Sequence, residues 1–380
     1  MTTYLLYDDA LRSPELRHEI QEPIMDPVIF IDHDEKRVLV GGPLEQPVMS
    51  TRDDVVDEFW SDHELGSEEL IKDDSVPDWL IGAELVKRAL DRLGARSVVV
   101  PSTFHVAVAD YLRGKDITVM VDPEAWAARR RRKTPWELEG IERAQRAVDT
   151  AMLTAARMLR EAEPTASGTL RFQGEILTAE LIREGMKAEL LRQGAESEEI
   201  IVHSGDACLS GHEIGHGPIL PNHSCIVDCF PRERRSGVFT DMTRTFVPGK
   251  PSKELLALHT HCKNALEIAL ETIRPGRADA YDKVAGYFEK NDLPTFRSHS
   301  GPGPLEEGFF HSLGHGVGLQ LHERPWMGRR SDEIVEGDVV AIEPGLYFRG
   351  VGGVRLEDTV VVTESGIEHF TDPYPYDLTP

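Results

Sequence analysis

Four carboxylates lie where such side chains are costly. Asp228 ends the apolar run CIVD and Asp241 lies in FTDMTRTF; Glu343 ends VVAIE and Glu357 lies in GVRLED. Each pair reads as one hairpin with two acids inside otherwise apolar strands. Such groups carry a large desolvation cost unless they are paired or bound to metal. Four that converge repel one another and stay partly protonated, and two divalent cations would cancel their charge. His315, in GHGVG, adds one nitrogen ligand and no thiolate joins the set. That donor mix suits Mn2+, first among them, with Co2+, Zn2+ or Fe2+ as alternatives. Two such metals about 3.5–4 Å apart hold a bridging hydroxide at neutral pH and stabilise an oxyanion, which is hydrolytic chemistry.

His315 belongs to FFHSLGHGVGLQLHE, Phe309 to Glu323, with His311 and His322 in the same stretch. Gly314, Gly316 and Gly318 alternate with Leu313, His315, Val317, Leu319 and Leu321. The period of two predicts an extended segment with one bare edge, approached by a ligand or another backbone. A helix is disfavoured, since each glycine costs about 1 kcal/mol there. A second His/Gly-rich segment, residues 211–217, precedes the first hairpin as residues 311–318 precede the second. The arrangement reads as a degenerate repeat of two facing half-domains. His212 to His216 also spells HExxH, a zinc motif that works only on a helix. Gly211, Gly215, Gly217 and Pro218 oppose a helix there, which leaves Glu213 a bystander. His203, His223, His259, His261 and His299 read as surface or structural residues.

The elements that must position these groups can be taken in order. Residues 1–122 alternate short strands and helices. DPVIFID and RVLVGG form a hairpin, Trp79–Leu93 a helix stopped by Gly94, and SVVVP and ITVMVD two strands around a helix capped by Ser102. This is an α/β domain without a catalytic motif. The basic run RRRRK within 125–133 reads as a solvated linker and helix lead-in. Thr134-Pro135-Trp136-Glu137 is a capping box with proline at the first helical position, so the domain boundary falls at 133/134. A long helix to about Arg160 follows, burying Leu138, Ile141, Ala144, Val148 and Met152. Helical patterns at 169–192, 252–273 and 278–290, with the strand-like runs around the acids, give 134–380 an α+β character.

Composition closes off other classes. Sixty-six acidic residues against 42 basic ones give a net charge of −24, which argues against nucleic acid and anionic membrane as partners. No apolar run approaches the ~20 residues of a membrane span, and the N-terminus lacks the pattern of a signal peptide. Cys208, Cys225, Cys229 and Cys262 show neither CxxC spacing nor a disulfide framework, so a cytoplasmic location is expected.

With these residues in place, the chain resembles the pita-bread metallopeptidases, which include Xaa-Pro aminopeptidase, prolidase and methionine aminopeptidase, with the metal-free creatinases as relatives. The resemblance covers about 134–380 and fills all five ligand positions: Asp228, Asp241, His315, Glu343 and Glu357. It implies catalytic or substrate-contacting roles for His322, His212 and His311, a catalytic share for Glu343, and a role for Arg355 beside the last ligand. The leading domain is similar to that of the aminopeptidase P, prolidase and creatinase branch. The implied protein is a homodimeric, two-metal exopeptidase acting on short peptides with proline second. Two departures stand out. Twelve residues separate Asp228 from Asp241, a longer tip (PRERRSG) than is usual in the family, and its arginines read as a solvated turn. Trp326 stands where prolidases often carry an arginine for the dipeptide carboxylate, and an aromatic ring there suits a proline ring or a longer peptide. Arg324, Arg329 and Arg330 are the possible replacements. The alternatives on this fold are a Xaa-Pro dipeptidase (prolidase) and a non-peptidase, metal-dependent amide hydrolase.

Overall fold

The computed structural model describes residues 2–211 and 213–380. The chain divides into two compact units, Met1–Arg130 and Arg131–Pro380. The first is built on a six-stranded sheet of β1 (Thr3–Asp8), β2 (Val28–His33), β3 (Lys36–Gly41), β4 (Glu58–Ser61), β5 (Ser97–Val100) and β6 (Thr118–Val121). The strand order is β4-β3-β2-β1-β5-β6, with β2 antiparallel to both neighbours and the outer pairs parallel. Helices α1 (Asp78–Leu93) and α2 (Val106–Arg113) turn Val86, Ala89, Leu90, Val108 and Leu112 onto Val38, Val98 and Val100. Helix α2 starts after His105, three residues later than the serine cap at 102 would place it.

The second unit opens on α3 (Pro135–Glu161), and the capping box is complete, with Thr134 Oγ1 accepting from the Glu137 amide and the Glu137 carboxylate accepting from the Thr134 amide. Ile141, Ala144, Val148 and Met152 are fully buried, as 3.6-residue spacing dictates. Helix α4 (Ala179–Arg192) begins only after the Thr178 cap. The helical reading from 169 was therefore too long: residues 170–176 form a small meander of Leu170–Phe172 and Glu175–Ile176. Helices α3 and α4 pack on the three-stranded sheet of β7 (Ile200–Ser204), β8 (Cys225–Cys229) and β9 (Met242–Phe246).

A second set of helices and strands follows the same plan. Helices α5 (Lys253–Thr272, capped by Ser252) and α6 (Ala280–Lys290) lie against a five-stranded sheet. Its strands are β10 (Gly314–Gly316), β11 (Glu323–Met327), β12 (Val339–Ile342), β15 (Asp358–Val362) and β16 (Ile367–His369), in the order β11-β10-β12-β15-β16. A separate hairpin, β13 (Gly345–Phe348) with β14 (Gly352–Arg355), is inserted between β12 and β15. The sequence reads GVRLED as one returning strand, and the structure splits it. Pro344 has no N–H to continue the β12 ladder, so the chain leaves that sheet after Glu343 and rejoins it at Asp358.

The basic run is not a solvated linker. Within the second unit Arg131 makes two hydrogen bonds to Asp338, at 2.9 and 2.6 Å, and Lys133 forms a buried pair with Glu323. Composition shows a run of like charges but not the partners each one meets. The hairpin tip is likewise only partly solvated. Arg232 bonds to the Gly237 carbonyl at 2.9 Å, and a Cβ on Gly140 of α3 would collide with Ser236 and Val238. Arg234 and Arg235 are exposed. No helix among the described residues is long and apolar enough to cross a membrane.

Candidate metal centre

The two sheets bring their acids to one place. Asp228 sits within β8, Asp241 directly before β9, Glu343 directly after β12 and Glu357 directly before β15. All four, with His315 and His322, line one cavity of about 300 Å³. Asp241, His315 and Glu357 each offer a ligand atom within 4.8 Å of the others and could hold a metal ion.

The main chain fixes each group. The Asp241 amide donates to Thr359 Oγ1 (3.1 Å), which itself donates to the Asp241 carbonyl (2.8 Å). The Glu357 amide donates to the Thr243 carbonyl (3.0 Å), and Thr243 Oγ1 donates to the Glu357 carboxylate (2.7 Å). The Glu343 amide donates to the Leu313 carbonyl (2.8 Å). His315 Nδ1 lies 3.1 Å from the Gly316 carbonyl, so that nitrogen carries the proton and Nε2, 3.8 Å from Asp241 Oδ2, keeps its lone pair. His322 meets the His315 ring edge to face, with centroids 4.3 Å apart.

The extended edge around His315 is shorter than its alternation suggests. Only residues 314–316 form strand, and the chain bends from 318 to 322. The bare edge is met by neighbouring backbone: a Cβ on Gly314 would strike the Ala341 carbonyl, and one on Gly316 the Arg324 carbonyl. At Gly318 the close atoms are side chains, Lys133 and Glu323. Three glycines therefore let His315 sit in the middle of a tightly packed ladder.

Charge in the cavity is unbalanced. Burial and the neighbouring Glu357, Asp228 and Glu343 push the Asp241 carboxyl well above the usual carboxylate range. Glu357 is raised in the same way, by burial and then by Glu343 and Asp228. Burial, with Asp228 opposed by Arg355, raises Glu343 to about 7. His315 is lowered to about 4 by burial and by His322, so it is neutral at pH 7. Arg355 pairs with Asp228 and is the one cation on the cavity wall among the described residues. Asp228 Oδ1 and Asp241 Oδ1 are buried without a hydrogen-bond partner among the described residues. Orphaned oxygens, crowded carboxyls and a neutral imidazole fit divalent cations of the oxygen-preferring kind.

Residues 139–364 match Metallopeptidase family M24. The chain belongs to that family. It is 38% identical over 134 residues to a Xaa-Pro dipeptidase of Pyrococcus furiosus, an alignment spanning 35% of each chain. It is 30% identical over 310 residues to a Xaa-Pro dipeptidase of Lactobacillus helveticus, covering 78% of this chain and 76% of that one. The structure is similar to an X-Pro aminopeptidase of Thermotoga maritima, with TM-score 0.75 and 19% identity over 99% of this chain and 97% of that one. At that identity the likeness shows the fold, the pita-bread fold behind a smaller α/β domain.

Two further expected residues of this M24 chain, His311 and Trp326, stand next to the site without lining the cavity, with His311 Nδ1 4.0 Å from Glu343 Oε2. His311 does not line the cavity: its Nδ1 bonds to the Ser312 carbonyl (2.7 Å) and its Nε2 to Tyr347 OH (3.1 Å). Tyr347 OH also accepts from Arg355 Nη1 (3.2 Å), which links His311 to Asp228 through two intermediaries. Trp326 pairs with His315 across the β10–β11 ladder, is 41% exposed and does not line the cavity. Arg324 is paired with Asp332, and Arg329 lies over the Phe296 ring at 4.4 Å.

His212 lies outside the described residues. Its neighbours are irregular, not helical, and are clamped from two sides. Arg183 donates to the Ile214 and Gly215 carbonyls at 2.7 and 2.8 Å, the Gly217 amide donates to Glu180 at 3.2 Å, and His203 Nε2 bonds to the Glu213 carbonyl. Residues 213–216 of the HExxH spelling thus form no helix. His223, His259, His261 and His299 bond to Pro221, Tyr376, Tyr287 and Gly303. Sequence reasoning missed Thr243, Thr359 and Tyr347. The signal was faint: Thr243 alternates with Asp241 in DMTRTF, and Tyr347 stands two residues after the glycine that ends EPG.

Proposed function

We propose that this chain is a two-metal exopeptidase that removes the N-terminal residue of peptides with proline in second place, with 134–380 as its catalytic domain. The observation that carries the reading is the single cavity lined by Asp228, Asp241, His315, Glu343 and Glu357. Those five residues would hold the ions, and the relatives named Xaa-Pro dipeptidase support the bond that is cut. When bound, two divalent cations supply a hydroxide at neutral pH and charge stabilisation for an oxyanion. When ionised, the four clustered carboxylates with Arg355 carry net −3, so two such cations bring that cluster to +1 and leave room for one hydroxide.

The chain's own groups do the rest. His322, on the cavity wall against His315, hydrogen-bonds the carbonyl oxygen as charge develops there. Glu343 takes the proton of the attacking water and returns it to the departing proline nitrogen. Arg355 holds Asp228 in place, with Tyr347 behind it. Ile201, Ile214, Phe230 and Leu321 line the cavity and receive the side chain of the N-terminal residue.

Longer peptides suit this cavity better than dipeptides. A dipeptidase needs a cation for the free carboxylate just past the scissile bond. Arg355 is committed to Asp228, and Arg324 to Asp332. The test is release of alanine from Ala-Pro-Ala by protein reloaded with Mn2+ or Co2+ after chelation. No cleavage by reloaded, folded protein would contradict the reading.

A further inference from the structure

We propose that Glu199 makes this site select peptides whose N-terminal residue is cationic, lysine or arginine; the inference rests on the exopeptidase reading above. The argument starts from strand register. Ile200 pairs with Cys229 and Ile201 with Asp228 between β7 and β8. Continuing by one residue sets Glu199 across from Phe230, and the Ser197 hydroxyl, which donates to the Glu199 carbonyl at 2.6 Å, lies 3.5 Å from the Phe230 carbonyl. Side chains alternate along a strand, so Glu199 and Ile201 share a face, as do Asp228 and Phe230. All four line the cavity.

The wall is therefore graded. Asp228 and Ile201 stand at the level of the acid cluster, while Glu199 and Phe230 stand one strand repeat further out, about 7 Å along. That distance is comparable with the reach of a lysine side chain. The rest of the lining outside the acid cluster and the histidines is apolar, from Ile201, Phe230, Ile214 and Leu321. A long side chain with a methylene stem and a charged tip fits such a slot, stem along the apolar wall and tip at its outer end.

Glu199 is available for that tip. It is exposed, and its carboxylate has no hydrogen-bond or ion-pair partner among the described residues. Lys187 of α4 spends its ammonium on the Glu198 carbonyl instead. Of the five carboxylates on the cavity wall, Glu199 is the one outside the acid cluster. An uncommitted anion at the end of an apolar slot selects a cation by charge and rejects an acidic side chain by repulsion.

The experiment compares kcat/KM for Lys-Pro-Ala and Met-Pro-Ala within each variant, so that losses of folded enzyme cancel in the ratio. The wild type favours the lysine peptide, and Glu199→Gln lowers the ratio by about fivefold, the upper end for an exposed ion pair. Raising salt erodes the wild-type ratio and leaves that of Glu199→Gln unmoved. Glu199→Lys turns the preference toward Glu-Pro-Ala over Lys-Pro-Ala. If both peptides are cleaved and the ratio is the same in wild type and Glu199→Gln, the inference is overturned while the exopeptidase reading stands. If the metal-loaded wild type cleaves neither, the exopeptidase reading fails and takes this inference with it.

Discussion

The two hairpins that hold the acids are alike in plan and different in charge. In the first, β8 and β9 are direct hydrogen-bonded neighbours, and Asp228 faces Thr243 across the ladder. In the second, β12 and β15 pair in the same sense, but the small hairpin β13–β14 is inserted between Glu343 and Glu357. That insertion ends at Arg355, whose guanidinium reaches back to Asp228 of the first hairpin. One hairpin thus contributes two anions, and the other contributes two anions and the only cation among the described cavity residues. The threonines couple them: Thr243 of the first half holds Glu357, and Thr359 of the second holds Asp241. Neither half is a site alone. The crowded carboxyls Asp241, Glu343 and Glu357 become stable anions only when charge arrives from outside the protein.

The largest effect should come from removing one anion from either half. Asp241→Asn and Glu357→Gln are each expected to abolish turnover with near-native circular dichroism, because the acids of both hairpins line one cavity. A fully active variant of either kind would show that its hairpin is scaffolding. His322→Ala should keep its metal and lose about 10²–10⁴ in kcat, as for a group that acts on the transition state. Loss of metal from that variant, with retention in Asp241→Asn, would reverse the two roles. A smaller effect is expected between Ala-Pro and Ala-Pro-Ala. An unpaired carboxylate costs about 1–3 kcal/mol, so kcat/KM for the dipeptide should be lower by about ten- to two-hundredfold.

The charge difference also predicts a pH dependence. Glu343 has a folded pKa of about 7 in the absence of metal. An unfolded glutamate titrates near 4.3, so between about pH 4.3 and 7 the folded chain holds a proton that the unfolded chain has released. Stability of the chelated protein should therefore fall as pH rises through that window, and Glu343→Gln should flatten the fall. The loaded protein should show the opposite slope, since metal competes with those protons. Scanning calorimetry with and without chelator checks both signs. The smallest effect is expected from Glu213→Ala, near wild-type activity, because its neighbours form an irregular clamped loop. A dead variant with normal fold and metal would revive the HExxH reading.

The four acids and the histidine were legible because their cost is local: a carboxylate inside CIVD or VVAIE needs a reason wherever it folds. The capping box at Thr134 was legible for the same reason, since its bonds close within four residues. What the sequence hid was long range. Alternation through 313–321 ran past the real strand end at Gly316, because Gly318 is packed against Lys133, far away in the chain. The basic run looked solvated until Asp338 and Glu323 were found beside it. Arg355 was expected near the last ligand, but its partner, Asp228, belongs to the other hairpin.

The central claim is that both halves jointly hold two divalent ions. Elemental analysis and activity should be followed together as chelated wild-type protein is titrated with Mn2+ or Co2+. The account predicts that bound metal saturates at about two equivalents per chain and that full activity returns with the second. Full activity in a verified metal-free preparation, or saturation of both signals at one equivalent, would contradict it.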